Sequence, residues 1–324
     1  MSELRYTYAV ARIRALESSL LDSSIIDRLL ACPDAPRGVR FLMDRGWGGN
    51  EVSGEDIEEL LHYEEDRTWQ VIEEVAPDPE LFKSFRIFKL YHNLKAAIKI
   101  ICTGSDPNYV FYKNTLISGE EFLDILHNKA FYKLPYNMPA AAIDAYNALL
   151  TTRDGQLCDI IIDKAALEAV YQFGKESDLP LIQNYSEASV AIANIRIAVR
   201  ANQTDKSAEF LSRSLAECDS IDIETLGEAA VRGMDEIKRY LAGTSYSGAT
   251  TALEESVTAF EVWCDNYLME ILQAEKYKSF SAGPVLAYWL ARENEIKTVR
   301  IILAGKQNGF SEEEIRERVR VMYV

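Results

Sequence analysis

The stretch PLIQNYSEASVAIANIRIAVR, residues 180–200, decides the fold because two similar stretches occur elsewhere in the chain. PELFKSFRIFKLYHNLKAAIK begins at Pro79, and PVLAYWLARENEIKTVRIILA begins at Pro284. In each stretch an Asn or a Thr stands fourteen positions after the proline, and an aliphatic residue and a cation follow it. The prolines are 101 and 104 residues apart, close to one third of the 324-residue chain. The sequence therefore predicts one helical unit that is used three times.

Helical periodicity extends over nearly the whole sequence. Apolar residues recur three and four positions apart, as on one face of an α-helix. Ser118 and Glu121 match the capping box that begins many helices. Alternating β-strand patterns are nearly absent. We predict an all-α protein whose three helical lobes span residues 1–115, 116–216 and 217–324.

The charge of the chain excludes several classes of partner. The net charge is −16, from 35 cations and 51 anions, and each third of the chain is acidic by itself. Nucleic-acid binding requires a concentrated basic surface, so we expect no nucleic acid as a partner. Anionic lipid is a poor direct partner for the same reason. We expect any contact with a membrane to be indirect, through another protein.

Neither the N-terminus nor the cysteines indicate secretion. Charged residues interrupt the N-terminal MSELRYTYAVARIRALE, so it does not resemble a signal peptide. No stretch approaches the eighteen or so apolar residues of a membrane span. The five cysteines are an odd number and none lies within four residues of another, which favours reduced thiols in the cytoplasm over disulfides or a metal site.

Two pairs of carboxylates are the best candidates for chemistry. Asp159 with Asp163, and Glu261 with Asp265, each lie four residues apart and so share one helix face. Facing acidic pairs could hold Mg²⁺ against a diphosphate, which leaves an all-α diphosphate enzyme as an alternative function. However, the pairs are one repeat period apart and no DDxxD-like cluster is present. The simpler interpretation is one structural position seen twice.

We therefore expect these acids to form ion pairs between helices. Asp163 is predicted to pair with Arg196. Asp265 is predicted to pair with Arg300. The three histidines are isolated, and no nucleophile, metal or nucleotide-binding motif is present, so we predict no catalytic, cofactor-binding or metal-binding residue. The residues predicted to have structural roles are Asn93, Lys95, Asp163, Asn194, Arg196, Asp265 and Arg300.

Two further segments stand out between the predicted helices. Acidic residues crowd the segment from Glu58 to Asp66, and we interpret them as a solvated face of a helix that begins near Ser53. The loop DRGWGGN, residues 44–50, is rich in turn-forming glycines. It lacks the GK[ST] sequence and the preceding strand of a phosphate-binding loop.

Short strings recur in order along the chain: YAVARIRALE at residues 8–17, NLK at 93–95, NIR at 194–196, and VRIILAGK at 299–306 with Gly309 and EEEI at 312–315 after it. Together they resemble the C subunit of the prokaryotic V-type and A-type ATPases and ATP synthases, whose eukaryotic relative is the d subunit of the V-ATPase. The resemblance covers essentially the whole chain and rests on the order, spacing and threefold recurrence of these strings. The third copy departs from it by having Thr298 in place of Asn, and the loop from Arg45 to Asn50 does not match the family pattern.

The resemblance implies a funnel of three helical lobes related by pseudo-threefold symmetry. It implies a protein without an active site that caps the proteolipid ring of the membrane sector and receives the axle subunits (D and F). Such a protein passes torque between the ATPase head and the ring, from a peripheral position on the cytoplasmic face. A generic helical scaffold remains a second alternative, although solenoid repeats of about 30–50 residues are shorter than this period.

Overall fold

The computed structural model describes residues 3–52, 56–78, 82, 85–104, 111–278 and 280–324, and every regular element in these ranges is helical. The predicted all-α class is confirmed. The α-helices are α1 (Thr7–Glu17), α2 (Ser23–Leu30), α3 (Ala35–Met43), α4 (Ile57–Val75), α5 (Ile87–Thr103), α6 (Gly119–His127), α7 (Met138–Thr152), α8 (Gly155–Glu176), α9 (Pro180–Gln203), α10 (Ala208–Ser214), α11 (Ile223–Arg232), α12 (Met234–Leu241), α13 (Gly248–Glu255), α14 (Val257–Gln273), α15 (Gly283–Gln307) and α16 (Glu312–Arg316). Short 3₁₀ helices lie at Glu3–Tyr6, Phe131–Lys133 and Ala274–Tyr277.

Side-chain caps fix where many of these helices begin. The hydroxyl of Ser118 accepts the N–H of Glu121, so α6 begins where the sequence predicts. Helix α4 is capped by Asp56, whose carboxylate accepts the N–H groups of Glu58 and Glu59. Ser53, the residue predicted to cap α4, lies outside the described residues, as does Pro79 at the start of the first repeated stretch.

The second and third repeated stretches lie in the long helices α9 and α15, and the described part of the first stretch is helical from Ile87, where α5 begins. Proline occupies the first turn of α9 and α15, where its missing N–H costs no hydrogen bond. Each helix has a buried apolar stripe at the predicted positions, and the core residues of the stripes include Leu94, Ala97, Ile98, Ile195, Ala198, Val199, Val299, Ile302 and Leu303. The helical interpretation of the repeat is confirmed.

The chain forms two compact units. Unit one comprises Met1–Pro79 and Thr251–Val324, so it joins the two ends of the sequence. In this unit α15 packs against α1, α3 and α4, and the side chains of α3, α4 and α15 share one apolar core. The three-lobe boundaries given above remain a prediction.

Unit two comprises Glu80–Thr250 and contains the other two repeated helices. Helices α5 and α9 both pack against α8, while α6 and α7 pack against α5. Cys158 and Ile162 of α8 are fully buried in the core of this unit. Among the residues that the structure describes, no helix has both the length and the apolar character needed to cross a membrane.

Candidate functional site

Two asparagines of unit two hold irregular segments against the repeated helices. Both side chains are fully buried. The Asn93 amide donates to the carbonyl of Tyr112 at 2.8 Å, and its Oδ1 accepts the N–H of the same residue at 2.8 Å. Asn194 binds Ala216 in the same way, at 2.7 and 3.0 Å. The same position of two repeats thus satisfies both backbone groups of one residue about twenty positions downstream.

The third copy of this position is different. Thr298 is fully buried in unit one, and its hydroxyl oxygen has no hydrogen-bond partner among the described residues. The segment that follows α16 is held instead by two asparagines on separate helices. Asn266 accepts the N–H of Val321 at 2.8 Å, and Asn294 donates to the Val321 carbonyl at 3.2 Å. The third repeat, which has Thr298 in place of Asn, therefore coincides with a segment that is attached through other side chains.

The carboxylate pair of α8 forms a ladder of ion pairs with α5. Lys95 contacts Asp163 at 2.7 Å, and Lys99 contacts Asp159 at 2.6 Å. The order of these pairs shows that the two helices run antiparallel. The sequence predicts Arg196 as the partner of Asp163, whereas the structure shows Lys95, because α8 turns this acidic face towards α5. Each carboxylate of the pair holds a lysine, an arrangement that does not favour the Mg²⁺–diphosphate alternative.

A similar exchange of partners occurs in unit one. Asp265 on α14 contacts Lys297 at 2.6 Å, one helical turn before the predicted partner Arg300. The Arg300 guanidinium instead approaches Glu58 at 3.2 Å and Glu65 at 3.8 Å. Both acids belong to α4, the helix that packs along α15. Arg300 and Lys95 therefore each pair with an acid on the long helix beside their own helix.

Three buried charged residues form a triad that the sequence analysis did not find. Arg292 of α15 lies between Glu64 of α4 and Glu295 of its own helix. The Arg292–Glu64 contact is 2.5 Å, and the exposed fractions of the three residues are 7%, 1% and 1% in the order Arg292, Glu64, Glu295. Glu295 also accepts the N–H of Leu21 at 2.7 Å. Two carboxylates and one guanidinium therefore join three segments of unit one.

Burial and the neighbouring charges act differently on the two residues of the triad whose pKa shifts. Burial raises the pKa of Glu295 because a carboxylate loses its hydration, and the nearby Arg292 only partly opposes this effect. Burial by itself would lower the pKa of Arg292, but the charges of Glu295 and Glu64 outweigh it and the pKa rises. Arg292 therefore stays charged, and Glu295 depends on it for compensation, whereas Glu64 also contacts the exposed Arg67 at 3.5 Å.

The triad also positions the glycine-rich loop at residues 44–50. Glu64 accepts the N–H of Gly48 at 2.8 Å, and Arg67 donates to the carbonyl of Gly46 at 3.0 Å. Trp47 is buried, and the Arg292 guanidinium lies 5.0 Å from its ring centroid. The loop is thus fixed by backbone hydrogen bonds and by one aromatic anchor.

The burial of Glu64 corrects one prediction. The acidic segment of α4 is a solvated face only in part: Glu58 and Glu59 are exposed, whereas Glu65 and Asp66 are half-buried. Glu64 follows Leu60 and Leu61 at spacings of four and three, which places it on the apolar face. The spacing of Glu64 from Leu60 and Leu61 could have predicted its burial, but its charge made an exposed position the expected one.

The cysteines and histidines do not form a reactive centre in the described part of the chain. All five cysteines are free, and burial raises the pKa of Cys158 and of Cys218 to about 11, so both are protonated at neutral pH. His62 and His127 are exposed, while His92 packs edge-on against Tyr112. Within the described ranges no three His, Cys, Asp or Glu side chains are placed to hold a metal ion.

An open cleft of about 570 Å³ lies in unit two between α7, α8 and α10. Its lining is largely apolar, and several of its polar side chains bond to the protein itself. Lys164 donates to the carbonyl of Ser212 at 3.2 Å, and Asn137 donates to Glu168 at 3.1 Å. These contacts leave the cleft unlike a catalytic site, where polar groups converge on the space that a substrate would fill.

Similarity to known proteins places this architecture in a family. The family model described as ATP synthase (C/AC39) subunit matches residues 9–318, which include helices from both units. The chain belongs to the ATP synthase (C/AC39) subunit family. The resemblance noted in the sequence is thereby confirmed.

Relatives of this C/AC39 chain match along most of their length. The C subunit of the V-type sodium ATPase of Enterococcus hirae is 28% identical over 273 residues, which cover 83% of each chain. The C subunit of the A-type ATP synthase of Methanocaldococcus jannaschii is 24% identical, over 96% of this chain and 85% of its own. Its counterpart from the A-type ATP synthase of Haloquadratum walsbyi is 24% identical, over 96% of each chain.

The last six residues of this C/AC39 chain lie beyond the matched range and are nevertheless built into unit one. Met322 and Tyr323 are buried, and Gln273 donates to the Met322 carbonyl at 3.0 Å. Arg320 contacts Asp265 at 2.8 Å, with both side chains at most one tenth exposed. This C-terminal segment therefore ties together elements that the family-matched helices provide.

Proposed function

We propose that this chain is the central-stalk C subunit of a rotary V-type or A-type ATPase. In this role it joins the axle subunits (D and F) to the proteolipid ring and has no catalytic site of its own. It lies on the cytoplasmic face of the membrane as a peripheral part of the complex. The observation that carries the proposal is the family match over residues 9–318, together with relatives that match along most of their own length.

The packing of the two units supports a mechanical role. A part that transmits torque must resist bending, and long helices joined by polar contacts to their neighbours bend less. In unit two, Asn93 and Asn194 fix segments to α5 and α9, and Lys95 and Lys99 join α5 to α8. In unit one, the Arg292 triad joins α15 to α4. The three-lobed funnel is part of the proposal.

The test is purification of the tagged chain from its native membranes in mild detergent. We expect the axle subunits and the proteolipid to co-purify with it. A strain that lacks the chain should keep ATP hydrolysis in the detached soluble head and lose ATP-driven ion transport. An equally tagged acidic helical protein serves as the control. Recovery of the chain without ring or axle proteins, or unchanged ion transport in the deletion strain, would contradict the proposal.

A further inference from the structure

Phe41 in unit one carries two arginines on its ring. The guanidinium carbon of Arg28, from α2, lies 5.2 Å from the ring centroid, and that of Arg45, just after α3, lies 5.4 Å from it. Both arginines are exposed. The two guanidinium carbons are therefore at most about 11 Å apart, the sum of these two distances. The arrangement forms one small surface, which we call the Arg28–Phe41–Arg45 surface.

Three neighbouring acids already have other partners. Asp27 contacts Arg316 at 2.5 Å, and Asp34 contacts Arg37 at 3.4 Å. Asp22 caps α2: hydrogen bonds from Ser24 and from the N–H of Ile25 lower its pKa, and the charge of Arg45 has a smaller effect. Within the described residues, neither guanidinium of the Arg28–Phe41–Arg45 surface has a carboxylate within 4.0 Å.

The surface is also locally positive in an acidic chain. Residues 28–45 contain four arginines and two aspartates, whereas the whole chain has 35 cations and 51 anions. Two other exposed arginines of unit one, Arg37 and Arg316, are paired with acids. The Arg28–Phe41–Arg45 surface therefore places two guanidiniums, neither paired with a carboxylate among the described residues, on one ring of an acidic chain.

The two arginines are held in place by well-packed elements. Helices α2 and α3 contact each other through core residues, of which Leu29, Val39 and Leu42 are fully buried. Arg45 begins the loop whose backbone is bound by Glu64 and Arg67. A surface that is already ordered loses less conformational entropy on binding, so weak charge contacts contribute more to affinity.

We propose that the Arg28–Phe41–Arg45 surface docks an acidic segment of a partner protein. Guanidinium groups bind carboxylates through paired N–H donors, and the aromatic ring offers apolar contact between them. Residues one helical turn apart on the partner have Cβ atoms about 5–6 Å apart, which lies within the upper bound for the two guanidiniums. A long polyanion such as nucleic acid, or an anionic bilayer, would meet the surrounding aspartates and the acidic remainder of the chain.

This inference names the chemistry of a partner, and it relies on the proposed function only for the expectation that the partner belongs to the same assembly. The assay uses the full-length chain and a synthetic peptide, so its result does not depend on that assembly. The probe is a helical peptide that carries glutamates at positions i and i+4. Its twin with glutamine at those positions is the matched control, and binding is measured by fluorescence anisotropy at low salt.

We expect the glutamate peptide to bind and the glutamine twin not to bind. The double variant Arg28→Gln, Arg45→Gln should weaken binding by about tenfold or more, because two charge-assisted contacts are lost. Arg37→Gln, which removes an exposed arginine already paired with Asp34, should change binding by less than about twofold. Phe41→Leu keeps both charges and should give an intermediate loss. Thermal melting checks that each variant folds.

Three outcomes would overturn the proposal. The first is the absence of binding of the glutamate peptide at millimolar concentration. The second is binding that the double variant leaves unchanged while Arg37→Gln reduces it. The third is tighter binding of tripolyphosphate, or of phosphatidylglycerol vesicles, that depends on Arg28 and Arg45 and displaces the peptide, which would assign the surface to phosphate ligands.

Discussion

The most deeply buried side chains that hold irregular segments differ in chemistry between the two units. In unit two, the neutral amide of Asn194 both donates to and accepts from the backbone of Ala216. In unit one, the carboxylates of Glu64 and Glu295 accept backbone N–H groups of Gly48 and Leu21. An amide is complete by itself, whereas a carboxylate only accepts hydrogen bonds and brings a charge that must be compensated.

We call the buried side chains that hold irregular segments fasteners: Asn93 and Asn194 in unit two, and Glu64 and Glu295 in unit one. The fasteners of unit two act independently of each other, whereas those of unit one depend on each other. Asn93 and Asn194 each hold one segment, so each can fail without the other. Glu64 and Glu295 share the cation Arg292, so the loss of one side chain affects two backbone attachments and the Trp47 ring together. The predictions below test this contrast.

The largest effect is expected from Arg292→Met. It leaves the buried Glu295 without a cation and Glu64 with only the exposed Arg67 at 3.5 Å, and should lower the free energy of unfolding of unit one by about 3–5 kcal/mol. All four tryptophans lie in unit one, so urea denaturation followed by tryptophan fluorescence measures this unit. Arg300→Met, at a partly exposed pair on the same helix, is the control and should cost less than about 1 kcal/mol.

A triple variant sharpens the same test. Adding Glu64→Gln and Glu295→Gln to Arg292→Met removes the uncompensated charge while keeping acceptor oxygens for Gly48 and Leu21. We expect it to recover part of the lost stability. If the single and triple variants were equally unstable, the charge would not be the cause.

The second effect concerns Asn194→Ala in unit two. The N–H and the carbonyl of the fully buried Ala216 would lose their partner, which should lower the free energy of unfolding by about 2–4 kcal/mol. Urea denaturation followed by far-UV circular dichroism measures the loss. Asn202 on the same helix makes a single bond of 2.9 Å to the Ala230 carbonyl, so Asn202→Ala should cost about 1 kcal/mol. Equal losses would show that the double attachment has no special value.

The sequence predicts the helices of both units better than their fasteners. The apolar stripe of α9 is local information, and Asn194 within it is an identifiable internal position because a polar residue interrupts a buried face. Its partner Ala216 lies in an irregular segment, where no periodicity indicates which backbone groups will be buried.

The triad of unit one was harder to predict for two reasons. Glu64 and Arg292 are 228 positions apart, so no local pattern joins them. Charged residues are rarely buried unless they are paired, which made solvent exposure the natural expectation for the acidic segment of α4. The spacing of Glu64 from Leu60 and Leu61 placed it on the apolar face and so indicated that it is buried. A buried carboxylate would in turn have implied a buried cation beside it.

The third effect has the opposite sign. Thr298→Val replaces a buried hydroxyl that has no partner among the described residues by a methyl group of similar size, and should raise the free energy of unfolding of unit one by about 1 kcal/mol. Thr68→Val is the matched control, because the Thr68 hydroxyl donates to the Glu64 carbonyl at 2.6 Å. It should lower stability. A loss from Thr298→Val would mean that the position binds a polar partner as Asn194 does.

The smallest effect is expected at the ladder between α5 and α8. Lys95 and Asp163 have side-chain exposed fractions of 20% and 59%, so solvent screens their attraction strongly. A double-mutant cycle of Lys95→Met and Asp163→Asn should give a coupling of about 0.5 kcal/mol that decreases in high salt. The cycle at Arg292 and Glu64 should give several-fold more, with little dependence on salt, because water and ions do not reach that pair. Similar couplings at the two sites would mean that burial does not distinguish them, and the contrast between the two units would then rest on hydrogen bonding alone.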